Sequence, residues 1–332
     1  MLVSIIITSY NYEKYLKEAI DSALSQTYPS IEVIVIDDGS KDNSAEIIRG
    51  YKDKIIPILK DNGGQTSCFN IAFEKSRGDV VIFLDADDVL LENAVADHMQ
   101  YLKNPEVSKS CGYMEVIDSD GNLTGDRVPR KLRPGGDYRD VALNNGLGVF
   151  QPSFTSGNAW ARWFLEKVLP LPENDIIGAD GYLTSIDLLF GKIETVSRTV
   201  VKYRLHGKNK GPLYFSFDKA HMKKLLQKRD FRLNFAEGWI KKLGYQQDEK
   251  EFRKIRNWKL ALMAYILGRM GEPYEAAPSG IELVAMPFQG PNIRPWNAFP
   301  VSFGLCLIYI LPKKPSISLA RYMLTKTNVI RD

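Results

Sequence analysis

The first hundred residues alternate between two hydrophobic patterns. Short apolar runs predict buried strands, and between them apolar residues recur at helical spacing with charged residues such as Lys17, Glu18 and Asp21 on the opposite face. The predicted strands are 3–8, 31–36, 55–59 and 80–84, and the predicted helices are 12–24, 45–51 and a third around 69–73 that ends before Gly78. Because strand and helix alternate three times, the pattern predicts right-handed βαβ units and a mostly parallel sheet.

Polar residues follow each predicted strand at the point where it ends. In an open α/β sheet, ligands bind beyond the carboxyl ends of the strands, so these side chains should converge on one crevice. In strand order they are Thr8, Tyr10 and Asn11, then Asp37 and Asp38, then Asn62 and Gln65, and finally Asp85 and Asp87. Four strand ends that carry ligand-binding groups predict a nucleotide-binding architecture.

The fourth strand ends in Asp85, Asp87 and Asp88 with no basic residue among them. Carboxylates crowded together repel one another unless a cation joins them, and oxygen ligands suit Mg²⁺ or Mn²⁺ with substrate phosphates completing the shell. A solvated acidic turn is the alternative. No glycine-rich phosphate loop is present, so metal and side chains would have to hold a diphosphate.

Composition narrows the class of protein. With 332 residues and 44% hydrophobic content, the chain can bury a sizeable core, and a net charge of +4 is too small to indicate nucleic-acid binding. Its three cysteines are far apart, which predicts ordinary thiols and neither a disulfide framework nor a zinc site. The start of the chain looks like a first strand and not a signal peptide, so we expect a cytoplasmic protein.

Several motifs, in order and spacing, resemble the family 2 glycosyltransferases. Over residues 1 to about 95 they are Thr8-Ser9-Tyr10-Asn11, Ile36-Asp37-Asp38-Gly39-Ser40, Asn62-Gly63-Gly64 with Asn70, and Leu84-Asp85-Ala86-Asp87-Asp88. The similarity continues less tightly to about residue 215 through Ser156-Gly157-Asn158-Ala159, Gly178-Ala179-Asp180 and Tyr203-Arg204-Leu205-His206-Gly207. The resemblance implies an α/β GT-A fold, Rossmann-like with a mostly parallel central sheet, and leaves a C-terminal α-helical appendage beyond it.

The expected domains follow from this resemblance and from a change in composition. A glycosyltransferase domain is expected at 1–215, with a nucleotide-sugar half at 1–100 and an acceptor half at 101–215. A mainly helical region is expected at 216–332, where Asp218 is predicted to cap a helix and 258–270 reads as another helix.

The resemblance also implies roles on the donor side. Asp38 matches the residue that accepts a hydrogen bond from the base, Asp87 matches the direct metal ligand, and Asp85 matches a ribose or metal contact. Arg204 and His206 resemble a late diphosphate or metal contact. The predicted nucleotide-sugar-binding residues are Thr8, Tyr10, Asn11, Asp38, Asn62, Gln65, Asp85 and Arg204, and the predicted metal ligands are Asp87, Asp85 and His206. Helix capping or turn formation is the alternative for Asp37 and Asp38, and a structural role is the alternative for His206.

On the acceptor side, Asp180 matches the catalytic base of the family. The family usually has Glu-Asp at this position, whereas this chain has Ala179 before Asp180. A surface-loop aspartate is the alternative reading, and Asp175 and Asp187 are nearby competitors. Asn158 and Trp160 lie in a segment that resembles an acceptor-side loop, although core packing explains a tryptophan there equally well.

These roles predict an inverting transfer of one sugar. The donor would be a UDP- or dTDP-type nucleotide sugar, the cofactor Mn²⁺ or Mg²⁺, and the acceptor a hydroxyl of a glycan or lipid-linked molecule in polysaccharide or cell-surface glycan biosynthesis. The alternative is a catalytically weak scaffold protein that binds a nucleotide sugar. A processive synthase would need membrane spans and a Gln-x-x-Arg-Trp motif, and a sugar-phosphate nucleotidyltransferase would need a glycine-rich loop; neither set of features is found.

The C-terminal region has a local charge bias. Residues 291–331 contain no acid, and basic residues are spread among large apolar ones. The apolar stretch 301–311 is too short to span a bilayer. It could lie on the inner face of an anionic membrane, which a lipid-linked acceptor would favour, or it could be a buried helix of the appendage.

Overall fold

The computed structural model describes residues 1–146, 154–174, 176–207, 218–254, 258–271, 273–275, 277–285, 305–309 and 311–326. The chain divides into two compact units. The first unit comprises Met1–Asp140 and Phe150–Asn209, and the second unit comprises Val141–Val149 and Lys210–Asp332. The expected domain boundary at residue 215 lies outside the described residues and stays a prediction.

In the described part of the first unit, nine strands form one sheet. They are β1 (Val3–Ser9), β2 (Ile31–Asp37), β3 (Ile56–Leu59), β4 (Val80–Asp85), β5 (Val89–Leu90), β6 (Val107–Ile117), β7 (Leu123–Val128), β8 (Asn158–Ala161) and β9 (Lys192–Arg204). Their order in the sheet is β3-β2-β1-β4-β8-β6-β9-β5, and β7 pairs with β6.

The sheet is parallel in one half and mixed in the other. Strands β3, β2, β1 and β4 are mutually parallel, as the βαβ pattern predicts. Beyond β4, strand β8 runs antiparallel to both β4 and β6, whereas β9 runs parallel to β6. The prediction of a mostly parallel sheet therefore holds for the half in which strand and helix alternate, and that alternation ends after β4.

Helices of the first unit cover the sheet, and the buried faces follow the predicted spacing. On α1 (Glu13–Leu24) the buried apolar residues are Leu16, Ala19, Ile20 and Ala23, at helical spacing. The other helices up to residue 186 are α2 (Ser44–Gly50), α3 (Gly64–Lys75), α4 (Ala94–Leu102), α5 (Arg139–Asn145), which runs into the second unit, α6 (Arg162–Val168) and α7 (Ala179–Ile186). All three cysteines are free thiols, as predicted.

The described part of the second unit is helical. Its helices are α8 (Lys219–Lys242), α9 (Glu249–Arg253), α10 (Trp258–Arg269), α11 (Gly280–Ala285) and α12 (Lys313–Lys326). Asp218 Oδ1 accepts a hydrogen bond from the His221 N–H at 2.7 Å, which confirms the predicted cap of α8. The apolar faces of α8 and α10 meet in a core that also contains Leu305 and Ile308. Within the described residues, no helix combines the length and hydropathy needed to cross a bilayer.

Candidate active site

The carboxyl end of β4 gathers negative charge. Asp85 ends the strand, and Asp87 and Asp88 follow it with exposed fractions of 6% and 1%. Burial, together with the neighbouring carboxylates of Asp87 and Asp180, raises the pKa of Asp85 to about 8. Burial, together with Asp87 and Asp85, also raises the pKa of Asp88 well above its ordinary value. The predicted cluster is therefore a partly desolvated site and not a solvated turn.

Asp88 fixes the turn that follows β4. Its N–H donates to the Asp85 carbonyl at 3.1 Å, and its carboxylate accepts from Ser156 Oγ at 2.6 Å and from the Arg204 N–H at 3.0 Å. Ser156 Oγ in turn accepts from the Asp85 N–H at 3.1 Å. Because both of its oxygens are engaged within the protein, Asp88 holds the shape of the turn.

Asp87 and His206 form the second part of the site. Asp87 Oδ2 lies 2.8 Å from His206 Nε2, and the imidazole is flanked by the rings of Tyr12 and Tyr15 at centroid distances of 5.8 and 5.2 Å. In the described residues, no group of three or more His, Cys, Asp or Glu side chains could hold a metal ion unaided. One carboxylate and one imidazole fit Mn²⁺ or Mg²⁺ chemically, provided that substrate phosphate oxygens supply further ligands.

Asp180 approaches the cluster from the first turn of α7. Its Oδ1 accepts from the Gly181 N–H at 2.8 Å, and Gln65 Nε2 donates to Asp85 Oδ1 at 3.1 Å. A Cβ atom added to Gly178 would lie 3.0 Å from Asp180 Oδ1 and 3.2 Å from Gln65 Oε1, so the two side chains are close neighbours. The structure therefore brings the predicted base and the end of β4 together.

One competitor of Asp180 is excluded by its surroundings. Asp187 lies in the protein interior, where its Oδ2 accepts from Lys109 Nζ at 2.7 Å with side-chain exposures of 3% and 0%. A carboxylate enclosed in this way cannot reach an acceptor hydroxyl. Asp175, the other competitor, lies outside the described residues.

Asp38 departs from its predicted role. Its carboxylate accepts from Lys60 Nζ at 2.6 Å, from the N–H groups of Gly63 and Gly64 at 2.8 Å each, and from Asn62 Nδ2 at 3.1 Å. Each oxygen thus takes two donors, and a base N–H could reach Asp38 only by displacing one of them. The prediction that it accepts from the base is corrected accordingly: Asp38 organises the turn that enters α3, and Asn62 belongs to the same turn.

Of the three predicted site residues at the end of β1, one anchors the loops and two lie at the open edge of the sheet. Asn11, with a φ of +59°, donates its N–H to Ser40 Oγ and accepts from the Lys41 N–H, both at 2.8 Å, so it joins the loops after β1 and β2. Thr8 pairs with Asp85 in the sheet register, and Tyr10 is 38% exposed. Thr8 and Tyr10 therefore remain the better candidates for contact with a bound nucleotide.

Three further predicted site residues are buried. Trp160 is 2% exposed and stacks on Phe164, so it cannot stack on an acceptor sugar, and that prediction is corrected. Asn158 is 1% exposed and its amide donates to the Phe154 carbonyl at 2.6 Å, which makes it part of the turn before β8 and corrects its acceptor-side assignment. Arg204 is 2% exposed and donates to the Asp87 carbonyl at 2.9 Å, so its guanidinium supports the main chain of the site, and burial speaks against its predicted contact with a diphosphate.

Sequence reasoning missed the face of α1 that contacts the end of β9. Glu18 Oε2 accepts from Arg204 Nη2 at 2.5 Å, and the Arg204 guanidinium lies 4.8 Å from the centre of the Tyr15 ring. From its position opposite the apolar stripe, Glu18 was expected on a solvated face. The available signal was the spacing of Tyr15 and Glu18, which makes them neighbours on the surface of a helix that begins directly after a binding motif.

Comparisons with known proteins agree with this architecture. Residues 4–159 match the family model described as Glycosyl transferase family 2. An uncharacterized glycosyltransferase of Nostoc sp. is 36% identical over 214 residues, which cover 63% of this chain and 66% of the relative. One from Rickettsia prowazekii is 45% identical over 120 residues, 35% of this chain and 37% of the relative. The matched stretches thus span less than two thirds of these relatives' own lengths.

Solved structures show the same fold. Residues 1–349 of TarS from S. aureus, solved in complex with UDP, align with a TM-score of 0.54 at 17% identity over 98% of this chain and 88% of that chain. The same region of TarS in complex with UDP-GlcNAc aligns with a TM-score of 0.54 at 16% identity, over 98% of this chain and 91% of that chain. With its motifs at the ends of β1 to β4, the family-model match and the shared GT-A fold, this chain carries a glycosyltransferase family 2 domain over residues 4–159.

Proposed function

We propose that the chain is an inverting glycosyltransferase that moves one sugar from a UDP- or dTDP-type nucleotide sugar to a hydroxyl of a glycan or lipid-linked acceptor. The observation that carries the proposal is the juxtaposition at the end of β4. There Asp87 contacts His206 at 2.8 Å, and Asp180 lies close enough to raise the pKa of Asp85. A cation site and a base within one cluster suit displacement of a nucleoside diphosphate by a hydroxyl.

Asp87 and His206 would hold the divalent cation. A bound Mn²⁺ or Mg²⁺ ion supplies positive charge to the diphosphate of the donor and to the leaving group. The protein orients the two ligands through the Arg204 contact to the Asp87 carbonyl and through the Tyr12 and Tyr15 rings beside the imidazole. Asp85 and Asp88, whose pKa values are raised in the protein without the cation, would ionise more readily beside a bound cation and then add negative charge around it.

Asp180 would accept the proton of the acceptor hydroxyl. The oxygen then attacks the anomeric carbon on the face opposite the departing diphosphate, so the configuration inverts and no covalent sugar intermediate forms. Gln65 lies beside Asp180 and donates to Asp85, so it keeps the base and the donor-side carboxylate in a fixed relation. Tyr10 and Thr8 would contact the nucleotide at the edge of the sheet, where an exposed ring can stack on a base.

The test is a thermal-shift and turnover series. Wild type, Asp87→Ala and Asp180→Asn are mixed with UDP, dTDP or GDP, each with and without Mn²⁺; UDP comes first because TarS was solved with it. One nucleotide should stabilise wild type in a metal-dependent way, and Asp87→Ala should abolish the shift. Asp180→Asn should keep the shift while the release of nucleoside diphosphate from the matching nucleotide sugar, with acceptor present, falls about 10²- to 10⁴-fold.

The control for these variants is Asp120→Asn, because the Asp120 side chain is 75% exposed. The scaffold alternative predicts nucleotide binding without turnover and no difference between wild type and Asp180→Asn. If no nucleotide stabilises the wild-type protein with or without metal, the transferase proposal fails.

A second proposal concerns the end of the chain, which we infer to contact an anionic membrane surface. Tyr309 and Tyr322 are 46% and 60% exposed, Lys314 is exposed, and residues 291–331 contain no acid. Aromatic and basic side chains together favour the membrane interface. The full chain should sediment with vesicles that contain phosphatidylglycerol and less so when Lys314→Glu and Tyr322→Ser are combined. Wild-type protein that stays in the supernatant would refute the contact.

A further inference from the structure

Arg204 is a buried cation at the centre of several contacts. Its side chain is 2% exposed, and its Nε donates to the Asp87 carbonyl at 2.9 Å while its Nη2 donates to Glu18 Oε2 at 2.5 Å. Its Nη1 donates to the Asp118 carbonyl at 3.4 Å, and the guanidinium stacks on the ring of Tyr15. Removing such a charge from water is costly unless an anion compensates it.

The carboxylate that the Arg204 guanidinium binds directly is that of Glu18, whose side chain is 54% exposed. Arg204 contacts Asp87 through the main-chain carbonyl, and it contacts Asp88 through its own main-chain N–H. The Asp87 carboxylate is therefore directed to His206, 2.8 Å away. A guanidinium paired with the Asp87 carboxylate would occupy the oxygens that a divalent cation needs.

The face of α1 that carries Glu18 also fixes His206. Tyr15 and Glu18 lie three residues apart on the helix, and Tyr12 is the residue directly before it. The Tyr15 ring contacts both the Arg204 guanidinium, at 4.8 Å, and the His206 imidazole, at 5.2 Å between centroids. One helix face thus holds the two residues of the β9 end that meet Asp87.

We propose that Glu18 is a positioning residue of the cation site: it binds the Arg204 guanidinium and so keeps the Asp87 carboxylate available, beside His206, for the divalent cation. The inference rests on the proposed function, because it assigns a role toward the same cation. Without Glu18, the buried guanidinium, whose Nε already contacts the Asp87 carbonyl, turns to the Asp87 carboxylate and competes with the cation for it.

The test measures Mn²⁺ binding directly, by electron paramagnetic resonance of the full chain in the presence of the nucleoside diphosphate that stabilises wild type. Glu18→Ala should weaken Mn²⁺ binding by about tenfold or more, as expected for loss of a group that orients a metal ligand. The Mn²⁺ affinity of Glu18→Gln should lie between those of wild type and Glu18→Ala. The matched control is Asp21→Asn on the same helix, whose carboxylate pairs with Lys17 and Tyr51 away from the cluster.

A conservative variant separates positioning from general stability. Glu18→Asp keeps the carboxylate that binds the guanidinium, whereas Glu18→Gln keeps the size of the side chain without its charge, so Mn²⁺ affinity should lie nearer to wild type in Glu18→Asp than in Glu18→Gln, an order that a loss of packing alone would not give. Wild-type Mn²⁺ affinity in both Glu18→Ala and Glu18→Gln, or a Mn²⁺ affinity of Glu18→Asp no higher than that of Glu18→Ala, overturns the inference while leaving the transferase proposal intact. If wild type binds no Mn²⁺ in the presence of UDP, dTDP or GDP, the Glu18 inference and the transferase proposal are both contradicted.

Discussion

At the scale of single residues, Asp85 should make the stability of the protein depend on pH. Its pKa is raised to about 8 by burial and by Asp87 and Asp180, so the folded protein keeps a proton that the unfolded chain has lost above pH 4. Stability therefore falls as the pH rises from about 4 to about 8. Asp85→Asn should remove this loss, so its free energy of unfolding should exceed that of wild type by about 1–3 kcal/mol between pH 5 and pH 8.

Urea unfolding of wild type and Asp85→Asn at several pH values checks this prediction. Asp120→Asn, at an exposed position, should follow the wild-type profile throughout. Parallel profiles for wild type and Asp85→Asn would show that Asp85 is ionised in the folded protein at neutral pH.

Asp38 should show the opposite dependence. Burial alone would raise its pKa, but hydrogen bonds from Lys60, Gly63 and Gly64 outweigh it, so the pKa is lowered. Its stabilising contribution is present above the ordinary value of 3.8 and is lost as the pH falls through the lowered value. Asp38→Asn should lower the free energy of unfolding by about 1–3 kcal/mol at pH 7, and its difference from wild type should shrink below pH 4.

The same urea series measures the effect of Asp38→Asn. Because we assign Asp38 to the turn before α3, nucleotide affinity should fall together with stability. A variant that keeps wild-type stability at pH 7 but loses nucleotide binding would restore the base-contact role that the sequence predicted.

At the scale of elements, Gly178 sets the approach of α7 to α3. A Cβ at this position would lie 3.0 Å from Asp180 Oδ1 and 3.2 Å from Gln65 Oε1, so both side chains must shift by a few tenths of an ångström. Since these atoms are side-chain ends, the fold should tolerate Gly178→Ala, whereas a displaced base should lower kcat about tenfold.

The control for Gly178→Ala is Gly238→Ala in α8, where an added Cβ would meet no atom within 4 Å. It should leave kcat unchanged and stabilise the helix by about 0.5–1 kcal/mol. Unchanged kcat in Gly178→Ala would argue against Asp180 as the base.

A buried ion pair joins β6 to the segment after α7. Lys109 Nζ lies 2.7 Å from Asp187 Oδ2 and 4.8 Å from the centre of the Trp160 ring. Lys109→Met should cost about 3–5 kcal/mol, because it leaves the Asp187 charge buried without the ammonium. Lys109→Met/Asp187→Leu should cost much less than the sum of the single variants in urea unfolding, and strict additivity would contradict this account.

At the scale of the whole molecule, the proposed site lies within the first unit. Hydrogen exchange measured with and without nucleoside diphosphate and Mn²⁺ should slow at 8–12, 62–66, 85–88, 178–181 and 204–206, because a bound ligand restrains the backbone it contacts. Helices α8, α10 and α12 serve as the internal control and should change least. Strongest protection in those helices would place the ligand elsewhere.

The sequence by itself determined the nucleotide-binding half of the sheet and the strand ends that carry Asp85 and Asp87. Periodicity was sufficient there, because β1 to β4 and their helices are consecutive in the chain and each presents a local pattern. The cap at Asp218 was equally local. Motif resemblance added Asp180, although its distance from β4 in the chain gave no geometric argument for bringing them together.

Only the tertiary structure decided the roles of Glu18, Trp160 and Arg204. A glutamate on the polar side of a helix has the same sequence pattern whether it faces water or a buried arginine 186 residues away in the chain. The burial of Trp160 and Arg204 also depends on long-range packing, because β8 and β9 pair with strands that are far from them in the sequence. Local patterns encode which face of an element is apolar, whereas the partner of a polar group depends on long-range packing that no local pattern contains.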